Sequence, residues 1–247
     1  MTSHMSATRR VATSALATSD VDSARFGVPI ARSYAASVVD VSGIAEEARA
    51  SGVAMVIVRS PANDLAVAQA LENAGGRLCD TLVHYARALD RPIPEQPRPV
   101  RPAGPDDTAE ITAIAESAFA GYQGHYHADP RLDRAAADAG YVDWARRSMA
   151  DGDVLVIEDG GAIAGFLSME RRETETEIVL NGIRPDAQGR GLYPALVIGA
   201  LRQAAQLHAP RCVASTQVSN MPAQKVWIRL GFEPTHAVHT FHLWSDG

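Results

Sequence analysis

Hydrophobic and polar positions along this chain switch repeatedly between two periods. From Glu177 to Ile183 the residues read as a strand, closed by Pro185, which cannot donate to a ladder. From about Pro194 the period lengthens: Leu196, Val197, Ala200, Leu201, Ala204 and Leu207 trace one face of a helix, with Pro194 suited to its first turn. A second strand, Cys212 to Val218, follows. Ser219 or Asn220 then offers an N-cap for a helix that holds Pro222 near its start and runs to Leu230, where Gly231 serves as a left-handed cap. Phe232 and the alternation from Val238 to Trp244 predict a last strand.

The first third has a similar rhythm. It predicts a strand over Ile30 to Val38, a helix over Val41 to Ser51, a buried strand over Val53 to Arg59, a helix over Asp64 to Asn73 and a strand over Leu78 to Ala88. A proline-rich stretch beginning Arg91-Pro92-Ile93-Pro94 reads as an extended linker. The expected organisation is a disordered tail at 1–19, a small α/β domain at 20–90, a linker at 91–97 and a larger domain at 98–247. No phosphate loop occurs in the smaller domain, whose expected role is structural.

Candidate chemistry concentrates between the strand at 177–183 and its helix, at Gln188-Gly189-Arg190-Gly191-Leu192-Tyr193. A glycine-rich turn at a helix start presents unpaired backbone N–H groups and the positive end of the helix dipole, which suits a phosphate. No Lys-Ser or Lys-Thr follows the glycines, so this is no nucleoside triphosphate loop, and the three-glycine dinucleotide spacing is missing. Taken alone, the turn fits an ordinary strand-to-helix connection equally well.

Together these residues resemble the GNAT superfamily of acyl-coenzyme A N-acyltransferases. The resemblance rests on Gln188 to Tyr193 after a strand, then Val218-Ser219-Asn220, then Leu230-Gly231-Phe232, and it covers about residue 98 to 247. It implies an α/β (α+β) fold with a central mixed, splayed sheet flanked by helices, here with a smaller N-terminal α/β domain. A closer similarity is to the WecD-type dTDP-fucosamine acetyltransferases, through Phe26-Gly27-Val28-Pro29-Ile30-Ala31-Arg32, Tyr126-His127-Ala128-Asp129-Pro130, Tyr141-Val142-Asp143-Trp144 and Thr216-Gln217-Val218. The resemblance implies acetyl-CoA as co-substrate. It assigns cofactor contacts to Asn181, Gly182 and Ile183, to Gln188, Gly189, Arg190, Gly191, Leu192 and Tyr193, and to Asn220. Where the family has Gly or Ala at the last loop position, this chain has Tyr193.

Charge agrees with a polyanionic ligand. The chain's formal charge is −6, yet residues 181–230 carry Arg184, Arg190, Arg202, Arg211, Lys225 and Arg229 against the single acid Asp186. The acidic remainder argues against nucleic acid. Hydrophobic content of 46% supports a real core, and no apolar run reaches the length of a membrane span. Cys79 and Cys212 form no redox or metal motif and read as buried, reduced residues of a cytoplasmic protein. His236, His239 and His242, spaced by three, do not share one strand face, so no metal site is expected.

Acyl transfer to an amine needs a base for the amine and a proton for the leaving thiolate. Glu177, by resemblance to acetyltransferases with a glutamate at this register, is the candidate base. Its alternative is a solvated charge in the acidic hairpin of Glu170, Glu173, Glu175 and Glu177. Tyr126 and His127, with His125, lie where the resemblance places the acceptor pocket. The resemblance calls for a tyrosine acid in the last helix, but that position holds Trp227, whose indole N–H donates a hydrogen bond without being a proton source. Three readings stay open: Tyr193, Tyr126 or water supplies the proton, the attacking ammonium does, or acyl transfer is absent. The expected activity is transfer to a small-molecule amine, an amino sugar being one class. The alternative is a CoA-binding sensor or scaffold. A homodimer is left open.

Overall fold

Strand and helix propensities are realised over residues 16–151 and 153–246, which the computed structural model describes. The elements in order are β1 (Ala17–Thr18), α1 (Asp20–Phe26), β2 (Ile30–Tyr34), α2 (Val38–Ala50), β3 (Met55–Pro61), α3 (Leu65–Asn73), β4 (Arg77–Ala88), β5 (Arg101–Pro102), α4 (Thr108–Phe119), α5 (Arg134–Asp151), β6 (Val154–Asp159), β7 (Ala162–Arg171), β8 (Thr176–Ile183), α6 (Leu192–Gln206), β9 (Arg211–Gln217), α7 (Met221–Arg229) and β10 (Glu233–Trp244). No helix among the described residues is long and apolar enough to cross a membrane.

The chain divides into two units, 1–81 with 237–247, and 82–236. This division differs from the expected 20–90 and 98–247. The cause is pairing at long range: Val238–Trp244 lies antiparallel against Pro61–Met55, so the C-terminal strand folds with the first unit. In that unit β2 and β3 are parallel and joined by α2, and β1 adds antiparallel to β2. Val56 and Val58 of β3 are buried with Ile44, Leu71 and Phe241. The strand expected over Ile30–Val38 stops at Tyr34, because Asp40 accepts from the Ser37 N–H at 2.9 Å and starts α2 at Val38. Residues 1–15 of the expected tail lie outside the described residues. Residues 17–18 pair with Arg32 and Ala31, and the Ser19 hydroxyl donates to the buried Asp22, which Arg32 also holds at 2.6 Å.

The second unit contains a mixed sheet with helices on both faces. β5, β6, β7 and β8 are successive antiparallel neighbours, β8 runs parallel to β9, and β9 is antiparallel to the 82–88 part of β4. Alternation on β6 sends Leu155 and Ile157 into the cluster under α6, and Val154 and Val156 into the cluster under α4 and α5. The stretch expected as a linker lies on this unit instead. Pro94 accepts from Arg202, Gln96 donates from its side chain to the carbonyl of Ala195, and Pro92 accepts from Arg87, so the chain that cannot form a ladder is fastened through two of its carbonyls and one side chain.

Candidate active site

The site begins where two strands part. β8 and β9 pair in parallel only at Thr176–Cys212, Glu177–Val213 and Ile178–Ala214. On its other side β8 skips a residue, since Ser168 faces Leu180 and Met169 faces Ile178, leaving Val179 as a bulge. The edge of Val179–Ile183 toward β9 therefore carries backbone groups that no ladder satisfies. Asn181, Gly182 and Ile183 lie on this edge. A Cβ on Gly182 would sit 3.1 Å from Phe166 and 3.2 Å from Ala118, tighter than ordinary contact, so the bare glycine favours the close approach of α4 to the strand.

The glycine loop continues from the parted strand. Gly189 and Gly191 have φ of +76° and +77°, and a Cβ on either would meet nothing within 4 Å. Gly191 caps α6 and has no side chain to satisfy the first-turn N–H groups. The helix thus opens with donors directed outward beside bare backbone, which fits a pyrophosphate. Gln188 donates to the carbonyl of Ile183, folding the loop back on β8. The expected basic patch is largely occupied. Arg190 pairs with Asp159 at 2.7 Å, Arg184 with Asp186 at 2.6 Å and Arg211 with Glu175 at 2.8 Å, while Arg202 donates to Pro94. Counting charges along the sequence could not reveal these pairings, and three of the partners, Asp159, Glu175 and Pro94, lie outside the counted segment.

Asn220 caps α7: its side-chain oxygen accepts from Ala223 N–H, and its amide donates to Thr216 Oγ1 at 2.9 Å. Gln224, one turn on, donates to the carbonyls of Gln217 and Val218 and accepts from Tyr85, tying α7 to the end of β9. Trp227 is 2% exposed and packs edge-on against Tyr85. Its Nε1–H donates to Tyr193 Oη at 2.8 Å. The two positions that depart from the family pattern are thus in contact, which sequence separation concealed. Burial raises the Tyr193 phenol above its ordinary range, with the indole N–H pulling the other way.

Where the acceptor pocket is expected, His127 is buried and both ring nitrogens are occupied. Nδ1 accepts from Gly124 N–H at 3.1 Å, which fixes the proton on Nε2, and Nε2 lies 2.9 Å from Asp138 Oδ1. That arrangement holds the turn from Gly124 rather than presenting a free base. Tyr126 stacks obliquely on His125 with centroids 3.8 Å apart. Phe119, Tyr122 and Tyr141 form an aromatic cluster beside them, with Phe119 and Tyr141 stacked at 4.5 Å. The carbonyl of Gln123 accepts from Gln217, so the loop after α4 is fastened to the end of β9.

Glu177 sits on the middle of the three rungs that β8 and β9 share, one before the strands part. Its carboxylate is ion-paired with Arg172, which also reaches Glu175 and Glu170 at 3.5 and 3.6 Å. The sequence reading missed Arg172, because the acidic run around it hid a basic centre.

Residues 111–232 match the model of the acetyltransferase (GNAT) family. The spore coat polysaccharide biosynthesis protein SpsD of Bacillus subtilis is 26% identical over 145 residues, which cover 58% of this chain and 50% of that protein. A mycothiol acetyltransferase of Streptomyces bingchenggensis is 36% identical over 80 residues, covering 32% of this chain and 26% of that protein. The matched part therefore spans half or less of these relatives' length. The GCN5-related N-acetyltransferase from Sphaerobacter thermophilus superposes with a TM-score of 0.61 at 20% identity, over 83% of this chain and 66% of that one. A GNAT-family protein from Novosphingobium aromaticivorans superposes with a TM-score of 0.55 at 21% identity, over 88% and 85%. At these identities the superpositions establish the fold alone.

Proposed function

We propose, from the premise that this chain is a member of the GNAT acetyltransferase superfamily, that it transfers the acyl group of an acyl-coenzyme A to the amine of a small molecule. The observation that carries the reading is the parting of β8 and β9 after Ile178 and Ala214, with the bare glycine start of α6 next along the chain. An extended chain of amides can complete the open edge at Asn181–Ile183, while its pyrophosphate meets the N–H groups of the loop from Gln188 to Tyr193. Acetyl is the acyl group the family description favours.

The carbonyl of the thioester, brought to the open edge, meets backbone N–H donors where negative charge develops. Glu177 is the base in this reading, acting on the amine once its carboxylate exchanges Arg172 for the substrate. His127 holds the acceptor loop, and Tyr126 is a wall of the acceptor pocket. Asn220 serves the site by capping α7. An amino sugar is the proposed acceptor, supported by similarity to a protein named for polysaccharide biosynthesis.

The test is release of free thiol from acetyl-CoA on addition of amines, including amino sugars and their nucleotide-linked forms, with the acylated product identified by mass. Thiol release matched by acylated amine is expected. Tight CoA binding with no turnover of any amine would replace this reading with that of a CoA-binding sensor.

A further inference from the structure

Two residues share one hydrogen bond at the ends of the parted strands. Tyr193 is the second residue of α6, two positions after the glycine cap, and α6 follows β8. Trp227 is on α7, which follows β9. The bond from Trp227 Nε1 to Tyr193 Oη therefore joins the two helices that the diverging strands feed. The indole can only donate, so the phenol oxygen is the acceptor and its own proton is directed elsewhere. Among the described residues, the bond from Trp227 is the one hydrogen bond recorded for this hydroxyl.

We propose that the Tyr193 hydroxyl donates the proton to the sulfur leaving the thioester, and that Trp227 is a positioning residue that holds this hydroxyl. The proposal rests on the acyl-transfer reading above. In the step, the amine nitrogen forms the C–N bond as the C–S bond breaks. The sulfur keeps the electron pair and takes the Tyr193 proton. The phenolate, stabilised by the Trp227 N–H, recovers through solvent the proton that the amine has lost. One proton passes from amine to thiol overall, and no further reactant is needed. Burial favours the protonated phenol, while the indole N–H favours the phenolate as it forms. The exchange accounts for both departures at once: a tyrosine is missing from α7 and an unexpected one opens α6.

The test compares wild type with Tyr193→Phe, using acetyl-CoA and a phenyl thioester of acetate, whose thiol is acidic enough to leave unprotonated. Tyr193→Phe is expected to lose about 10²-fold in kcat with acetyl-CoA. With the phenyl thioester the loss should be under about threefold, and the Kd for CoA and the Tm should stay near wild type. Equal loss with both donors, or none with acetyl-CoA, overturns the proposal. Should Tyr193→Phe fail to fold, Trp227→Phe gives the same reading: a loss of about tenfold confined to acetyl-CoA supports it, and a loss independent of the donor overturns it. Wild type that acylates no amine removes the acyl-transfer reading itself, an outcome distinct from an active enzyme indifferent to Tyr193.

Discussion

Arg172 and Glu177 form an ion pair across the turn that joins β7 to β8. Glu177 is one rung short of the last pair shared by β8 and β9, so its carboxylate sits close to the split with a guanidinium already beside it. The guanidinium holds the carboxylate in one orientation. Replacing it should therefore affect chemistry more than assembly. Glu177→Gln is expected to lower kcat by about 10²–10³, the span of a lost general base, with the Kd for acyl-CoA unchanged. Steady-state rates beside calorimetric binding check this. A kcat within about threefold of wild type would return Glu177 to the acidic hairpin as a structural charge.

The loop prediction turns on backbone conformation. Gly191 has φ of +77° and open space where a Cβ would be. An alanine meets no clash there, only the cost of a left-handed conformation, about 1–2 kcal/mol. That cost is relieved if the loop relaxes, which would turn the first N–H groups of α6 away from their common target. Gly191→Ala is therefore expected to weaken CoA binding by about tenfold or more while lowering the Tm by a few degrees. Arg190→Ala, which removes a side chain already paired with Asp159, should weaken it less. Calorimetric titration with CoA orders the two variants.

Much of the second unit was legible in the chain. The strand at 177–183, the helix after it, the caps at Asn220 and Gly231 and the glycine loop all follow from local rules, and each is found close to its expected place. What was not legible depends on distant partners. The return of Val238–Trp244 to β3 is set by pairing across most of the chain, and alternation is silent about partners. The proline stretch reads as a linker by composition, but its carbonyls are fastened by Arg87 and Arg202. The contact of Trp227 with Tyr193 joins two anomalies that sequence could only record separately.

His127 separates a holding role from a catalytic one. Its Nδ1 accepts from Gly124 N–H, and a Cβ on Gly124 would lie 2.4 Å from the Tyr141 hydroxyl, so this turn is closely packed. Removing the imidazole leaves a backbone donor without its partner, at a cost of about 1–3 kcal/mol. His127→Ala is expected to lower the Tm and raise the amine KM, with kcat at saturation reduced less than about fivefold. A kcat collapse of about 10² or more at unchanged Tm would mean instead that the ring takes part in proton transfer.

Cys212 ties the core of the second unit to alkaline stability. Its side chain is fully buried on β9, and burial pushes the thiol up to about 12. In the unfolded chain the thiol ionises near an ordinary value of about 8.5. Between those values the unfolded chain has lost a proton that the folded chain keeps. Stability is thus full below about pH 8.5 and falls as pH rises, by at most about 1.4 kcal/mol per pH unit from this group. Chemical denaturation at pH 8, 9 and 10 should show the decline, and Cys212→Ala should flatten that slope while costing stability at pH 7. The same burial predicts labelling order. Native protein at pH 8 should alkylate at the half-buried Cys79, and Cys212 should react only when denaturant is added. Equal labelling of both cysteines in the native state would show that β9 opens far more readily than its packing implies.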